Sequence, residues 1–160
     1  LEGCGQFLIH NVDIISDLDI RWMASQTRRD AMATLLVSDR VTSRYLLFDP
    51  DTMRLKGWTN VVTGEVRSPY PDLDVTQCRR LAFSGIHIMS DTVFAALEDF
   101  VSRQGLDPEH PRFPIMDFYL SACALYEIYG VKADGLHLVD VGKLDTLEIA
   151  EKEISRVSQN

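Results

Sequence analysis

The chain has 160 residues, 46% of them hydrophobic and 25% charged, which suits one soluble domain with a real core. Its formal net charge of −8 argues against nucleic acid or anionic lipid as partners, since both are held by clusters of lysine and arginine. Cys4, Cys78 and Cys123 are odd in number and scattered, so they suggest neither a disulfide framework nor a C-x-x-C metal knuckle, and a reducing cytoplasm is the default location. No apolar stretch is long enough to span a bilayer, and the first residues lack the pattern of a secretory signal.

In chain order, the apolar run Phe7 to Asn11 predicts a strand that delivers Asp13 where it runs out. Asp17 to Arg29 predicts a helix with Leu18, Ile20, Trp22 and Met23 on its apolar face. Strands follow at Ala33 to Val37 and Tyr45 to Phe48. The region from Asp49 to Arg80 is broken by Gly57, Gly64, Pro69 and Pro71, and its stretch from Ser68 to Gln77 reads as an exposed loop. Leu81 to Met89 predicts a further strand, and Asp91 to Arg103 a helix with a capping aspartate. A proline-bearing linker, Gly105 to Pro114, leads into a helix over Pro114 to Tyr129. Leu136 to Val139 predicts a strand that delivers Asp140, and Leu144 to Val157 a final helix. Strands alternating with helices imply an α/β fold with a mainly parallel, Rossmann-like sheet flanked by helices, whose ligands gather beyond the carboxyl ends of the strands.

Two strand ends bearing Asp13 and Asp140 suggest a magnesium site, because that hard cation takes one or two carboxylates and completes its shell with phosphates and water. The competing reading of Asp13 is a side chain that merely caps the next turn. Gly142 lets the backbone pass close to a ligand, and Lys143 either touches a phosphate or points into solvent. Arg40 and Arg44 are candidates to grip a phosphate, against the commoner reading of solvated arginines. His10, His87 and His137 lie in apolar runs and read as core or edge residues. No His-x-x-x-His spacing supports zinc, and no G-x-S-x-G elbow supports a hydrolase.

These residues also carry a family resemblance. Asn11-Val12-Asp13 resembles the N-G-D strand end of sugar-1-phosphate nucleotidyltransferases, and Asp140-Val141-Gly142 resembles their later D-[VIT]-G. Thr34-Leu35-Leu36-Val37, Arg44-Tyr45 with Phe48-Asp49, Leu55-Lys56-Gly57-Trp58, Phe83-Ser84-Gly85-Ile86 and Leu144-Asp145-Thr146-Leu147 fall in the family's order, nearest the mannose-1-phosphate guanylyltransferase and N-acetylmuramate-phosphate uridylyltransferase branch. The resemblance implies nucleotidyl transfer from a nucleoside triphosphate to a sugar 1-phosphate, with Asp13 and Asp140 as catalytic magnesium ligands. It implies substrate contacts from Asn11, Tyr45, Asn60, Ser84, Gly85, Gly142 and Lys143, and a small β insertion beside the sugar.

The sequence departs from the family at Val12, Leu46 and Phe83, where relatives commonly have glycine, glycine and asparagine. The family's G-x-G-[ST]-R loop and P-K-P motif do not occur. The 160 residues are therefore expected to be a single domain, the carboxy-terminal part of a nucleotidyltransferase domain without its nucleotide-binding half. Such a part is expected to be inactive alone and, with a sheet edge exposed, to self-associate as a possible homo-oligomer. Two rivals stand beside this reading. A metal-dependent glycosyltransferase would use Asp17-Leu18-Asp19 as its D-x-D, and a non-catalytic sugar-nucleotide binding module would keep the fold alone.

Overall fold

The computed structural model describes residues 5–140. The expected helix over Leu144 to Val157, together with Gly142 and Lys143, lies outside them. The elements are β1 (Gln6–His10), β2 (Ile14–Ser16), α1 (Ile20–Gln26), β3 (Ala33–Ser38), β4 (Arg44–Phe48), β5 (Leu55–Asn60), β6 (Glu65–Arg67), β7 (Arg79–Ser90), α2 (Thr92–Gln104), α3 (Ile115–Ala122), β8 (Ile128–Lys132) and β9 (Leu138–Asp140).

Seven strands form one sheet in the order β6-β5-β4-β7-β3-β8, with β1 joined to β7. The twelve-residue β7 organises it. Residues 87–89 pair with β3 on one edge and β1 on the other, and residues 79–81 pair with β4 on the same edge as β1. All of these ladders are antiparallel, as are β4–β5 and β5–β6, and β3–β8 is the single parallel pair among the described residues.

The expected fold class, a mainly parallel Rossmann-like sheet flanked by helices, is therefore wrong. Parallel neighbours need long crossovers of a dozen or more residues, and most connections here are not of that kind. β3 reaches β4 through residues 39–43 alone, and β4, β5 and β6 follow one another as an antiparallel meander continuous with the main sheet. The expected helix over Pro114 to Tyr129 is also two elements. It stops at Ala122, and Ile128–Lys132 enters the sheet as β8.

Side chains alternate across the sheet and separate two cores, as the period of a strand requires. On one face Phe7, Ile9, Leu35, Val37 and Met89 meet Val93, Ala96 and Phe100 of α2 and Phe118, Tyr119 and Ala122 of α3. On the other, Leu8, Leu36, Ile86 and Ile88 meet Trp22 and Met23 of α1, with Ile14 of β2 and Leu138 of β9. Helix α1 is held at its start by Asp19, whose carboxylate accepts from the N–H groups of Arg21 (2.8 Å) and Trp22 (3.2 Å). Asp91 does not cap α2 in that way. Its carboxylate instead accepts from the N–H of Gly5 at 3.1 Å, tying the start of β1 to the end of β7.

The far edge of the sheet folds round to the β4–β5 turn. The Gly130 N–H of β8 donates to Met53 O at 2.9 Å, and Arg54 pairs with Glu127 at 2.9 Å. Gly130 packs against the ring of the fully buried Phe48. Among the described residues no helix is long and apolar enough to cross a membrane.

Candidate functional site

β1 and β4 lie along the same edge of β7 without meeting. Leu81 is the last residue registered with β4, and Gly85 O receives the Asn11 N–H at 3.0 Å just past the end of β1. Residues 82–84 between them have no strand partner on that edge. The other edge is irregular at the same level. Leu35 pairs with His87 and Val37 with Phe83, so two steps along β3 span four along β7. This bulge is where Gly85 takes φ +76°, a left-handed conformation that glycine adopts without steric cost.

Three of the expected substrate residues gather there. Asn11 lies against Gly85, so that a Cβ on the glycine would stand 2.8 Å from the carboxamide nitrogen. Ser84 is 3% exposed, and its hydroxyl has no hydrogen-bond partner among the described residues. An orphaned buried hydroxyl is costly and calls for an explanation, and the Thr34 and Ser38 hydroxyls of β3 are orphaned as well.

Beyond Asn11 the chain turns sharply, with the Ile14 N–H donating back to Asn11 O at 3.3 Å, and Asp13 stands exposed in that turn. β2 then pairs antiparallel with β9, placing Ile14 opposite Asp140. The second aspartate strand thus joins β2 rather than lying beside β1. The backbone of Asp140 is nonetheless brought opposite the residue that follows Asp13. Among the described residues no three His, Cys, Asp or Glu side chains gather in the manner of a complete protein cage for a metal.

The remaining candidates have local duties. The Tyr45 hydroxyl accepts from the Thr42 N–H at 3.0 Å, which fastens the segment between β3 and β4. Asn60 closes the β5–β6 hairpin, its side-chain oxygen accepting from the N–H groups of Val62 (3.0 Å) and Thr63 (3.4 Å). Asp17 accepts from the His137 N–H at 2.9 Å, and Asp19 caps α1, so both acids of the possible D-x-D serve the backbone.

Sequence reasoning missed two features. Arg40 donates through Nη2 to Phe83 O at 2.9 Å, beside the unpartnered stretch of β7. A polar loop gives no sign of such a long-range contact. Behind the bulge, His87 shares a hydrogen bond with the Tyr119 hydroxyl, both residues being buried. Burial pushes His87 down to about 4 and raises Tyr119, so both are neutral near pH 7. Apolar neighbours had pointed to a core histidine, but its partner lies 32 residues away.

Three surface cavities lie elsewhere. One of about 500 Å3 is lined by Asp17, Trp22, Lys132 and Leu136, one of about 560 Å3 by Asp49, Lys56, Tyr70 and Asp74, and one of about 350 Å3 by Arg67, Phe100 and Arg112. Asn11, Asp13, Ser84 and Gly85 line none of these three.

No protein-family model matches the chain, and no curated protein is similar to it. Its structure is similar to that of the inositol-1-phosphate CTP transferase from T. maritima, with a TM-score of 0.60 and 12% identity. The match covers 92% of this chain and 54% of that one, so the chain spans about half the length of the protein it resembles. At this identity the likeness is one of fold alone.

Proposed function

We propose that the protein transfers a nucleotidyl group from a nucleoside triphosphate to a sugar 1-phosphate, and that this chain carries the sugar-phosphate side of the reaction. What supports the reading above all is the meeting of two chain segments with the break in β7. Asn11 rests on Gly85 beside the orphaned Ser84 hydroxyl, and the next turn brings Asp13 toward the backbone of Asp140. The shared fold with a CTP transferase of a phosphorylated polyol is consistent with it.

In this reading a phosphate oxygen of the sugar 1-phosphate attacks the α-phosphorus of the triphosphate in line. A new P–O bond forms, the bond to the β-phosphate breaks, and pyrophosphate leaves with the bonding electrons. Asp13 and Asp140 are the pair that would hold magnesium, hard oxygen donors of the kind it prefers, and the ion would supply charge neutralisation. Asn11 presents its carboxamide to the sugar, and Gly85, by lacking a Cβ, lets that carboxamide lie against the backbone next to the buried Ser84 hydroxyl. Tyr45 and Asn60 would add contacts from β4 and β5, although the Tyr45 hydroxyl is engaged by Thr42 and the Asn60 side-chain oxygen by the β5–β6 turn, and Gly142 and Lys143 follow Asp140 in sequence. Holding the sugar phosphate in line turns a bimolecular encounter into an oriented one.

The deciding experiment measures pyrophosphate release by the whole protein with a panel of triphosphates against sugar 1-phosphates. The expected result is release that needs both magnesium and a sugar 1-phosphate. Release at the same rate without sugar phosphate, or none with any pair, overturns the reading.

A further inference from the structure

We propose that Arg40 is the cation that receives the phosphate of the sugar 1-phosphate, an assignment that rests on the reading of the β7 break as the sugar-phosphate site. Arg40 belongs to residues 39–43, which carry the chain from β3 on one edge of β7 to β4 on the other. That segment is pinned twice. Arg40 donates to Phe83 O at 2.9 Å, and the Thr42 N–H donates to the Tyr45 hydroxyl at 3.0 Å. One fork of the guanidinium is thereby spent on orientation, and the residue stays exposed with its other donors available.

The charge of Arg40 is also uncompensated among the described residues. Its chain neighbour Asp39 pairs with Lys132, which reaches Asp134 as well, and no carboxylate pairs with Arg40. Arg28 is also oriented without a carboxylate partner among the described residues, held by Thr52 O and the Tyr129 ring, so what sets Arg40 apart is its place beside the break in β7. The carbonyl it grips belongs to Phe83, the residue before the orphaned Ser84 hydroxyl and two before Gly85, on which Asn11 rests. A phosphate monoester supplies what is missing there: a doubly charged acceptor matching the planar fork of a guanidinium. Pinning the loop in advance lowers the ordering cost of binding.

The structural alternative is that Arg40 only clips the loop to β7, and the test must separate the two. In the full chain labelled with nitrogen-15, the Arg40 Nε–H resonance is followed during titration with inorganic phosphate, mannose 1-phosphate and myo-inositol 1-phosphate. Unphosphorylated mannose and myo-inositol serve as controls. The expected result is a shift with the three phosphates and none with the controls. Arg40→Gln should weaken sugar-phosphate binding roughly 10- to 100-fold, Arg40→Lys should restore part of it, and Val41→Thr, at a fully exposed neighbour, should leave it unchanged. If inorganic phosphate moves the resonance but neither sugar phosphate binds more tightly than it does, the anion site stands and the sugar-phosphate reading falls. A resonance unmoved by all three phosphates, or wild-type affinity in Arg40→Gln, overturns the assignment whatever the catalytic activity.

Discussion

The carboxamide of Asn11 covers Gly85 so closely that a Cβ on the glycine would stand 2.8 Å from its nitrogen and 3.1 Å from its carbonyl carbon. Gly85 also sits at φ +76°, where a side chain costs about 1–2 kcal/mol. Gly85→Ala should therefore destabilise the chain by roughly 2 kcal/mol or more in urea unfolding. Adding Asn11→Gly should recover the part due to collision and leave the conformational part. If Gly85→Ala unfolds at the wild-type urea concentration, the close approach is not real.

Asp13 is exposed in its turn and, among the described residues, no hydrogen bond of its carboxylate supports the fold, so Asp13→Asn should unfold at the wild-type temperature. Pyrophosphate release by the whole protein should nonetheless fall by roughly 100-fold or more if its carboxylate holds magnesium. Asp19→Asn is the matching control. It keeps an N-cap acceptor for α1 and should leave turnover near wild type, whereas a glycosyltransferase D-x-D would make it as damaging as Asp13→Asn.

His87 makes stability depend on pH in a defined window. In the native chain burial holds it neutral down to about pH 4, while in the unfolded chain it takes up a proton near its ordinary 6.5. Between those values the unfolded state binds more protons, so stability is complete above 6.5 and declines as the pH falls toward 4, by about 3 kcal/mol in the limit. The thermal midpoint of wild type should drop across this interval more steeply than that of His87→Gln. Parallel profiles for the two proteins would mean that His87 takes up its proton in the fold as readily as in the unfolded chain.

Gly130 tests how the sheet closes on itself. A Cβ there would lie 2.8 and 2.9 Å from two ring atoms of Phe48, which is fully buried and has no room to retreat. Gly130→Ala should cost about 1–3 kcal/mol, and Phe48→Leu in the same chain should return part of that loss. Additive effects of the two substitutions in denaturant melts would show that they do not touch.

The strands that carry the candidate residues were legible because they are local. Asn11 and Asp13 follow one apolar run, Ser84 and Gly85 lie within another, and both runs are strands. What periodicity does not carry is direction. Ala33 to Val37 is buried on both faces and reads as a parallel strand, yet β3 is antiparallel to β7 and parallel only to β8. The run from Leu120 to Val131 is apolar at helical and strand spacings alike, which hid the change from α3 to β8. Asn60 was ambiguous between a hydroxyl contact and a turn, and its bonds to Val62 and Thr63 place its oxygen in the turn. The hold of Arg40 on Phe83 spans 43 residues and could not be read from neighbours in sequence.

Since β7 comes later in the chain than β1, β3 and β4 and is the strand that each of them pairs with, order of synthesis bears on how the molecule assembles. Until residue 90 has left the ribosome those three strands lack their shared neighbour, and the nascent chain can complete little beyond the β4–β5–β6 meander. Folding of the rest must then close loops of about 35 to 80 residues together, a demand that slows it and leaves apolar segments open to chaperones meanwhile.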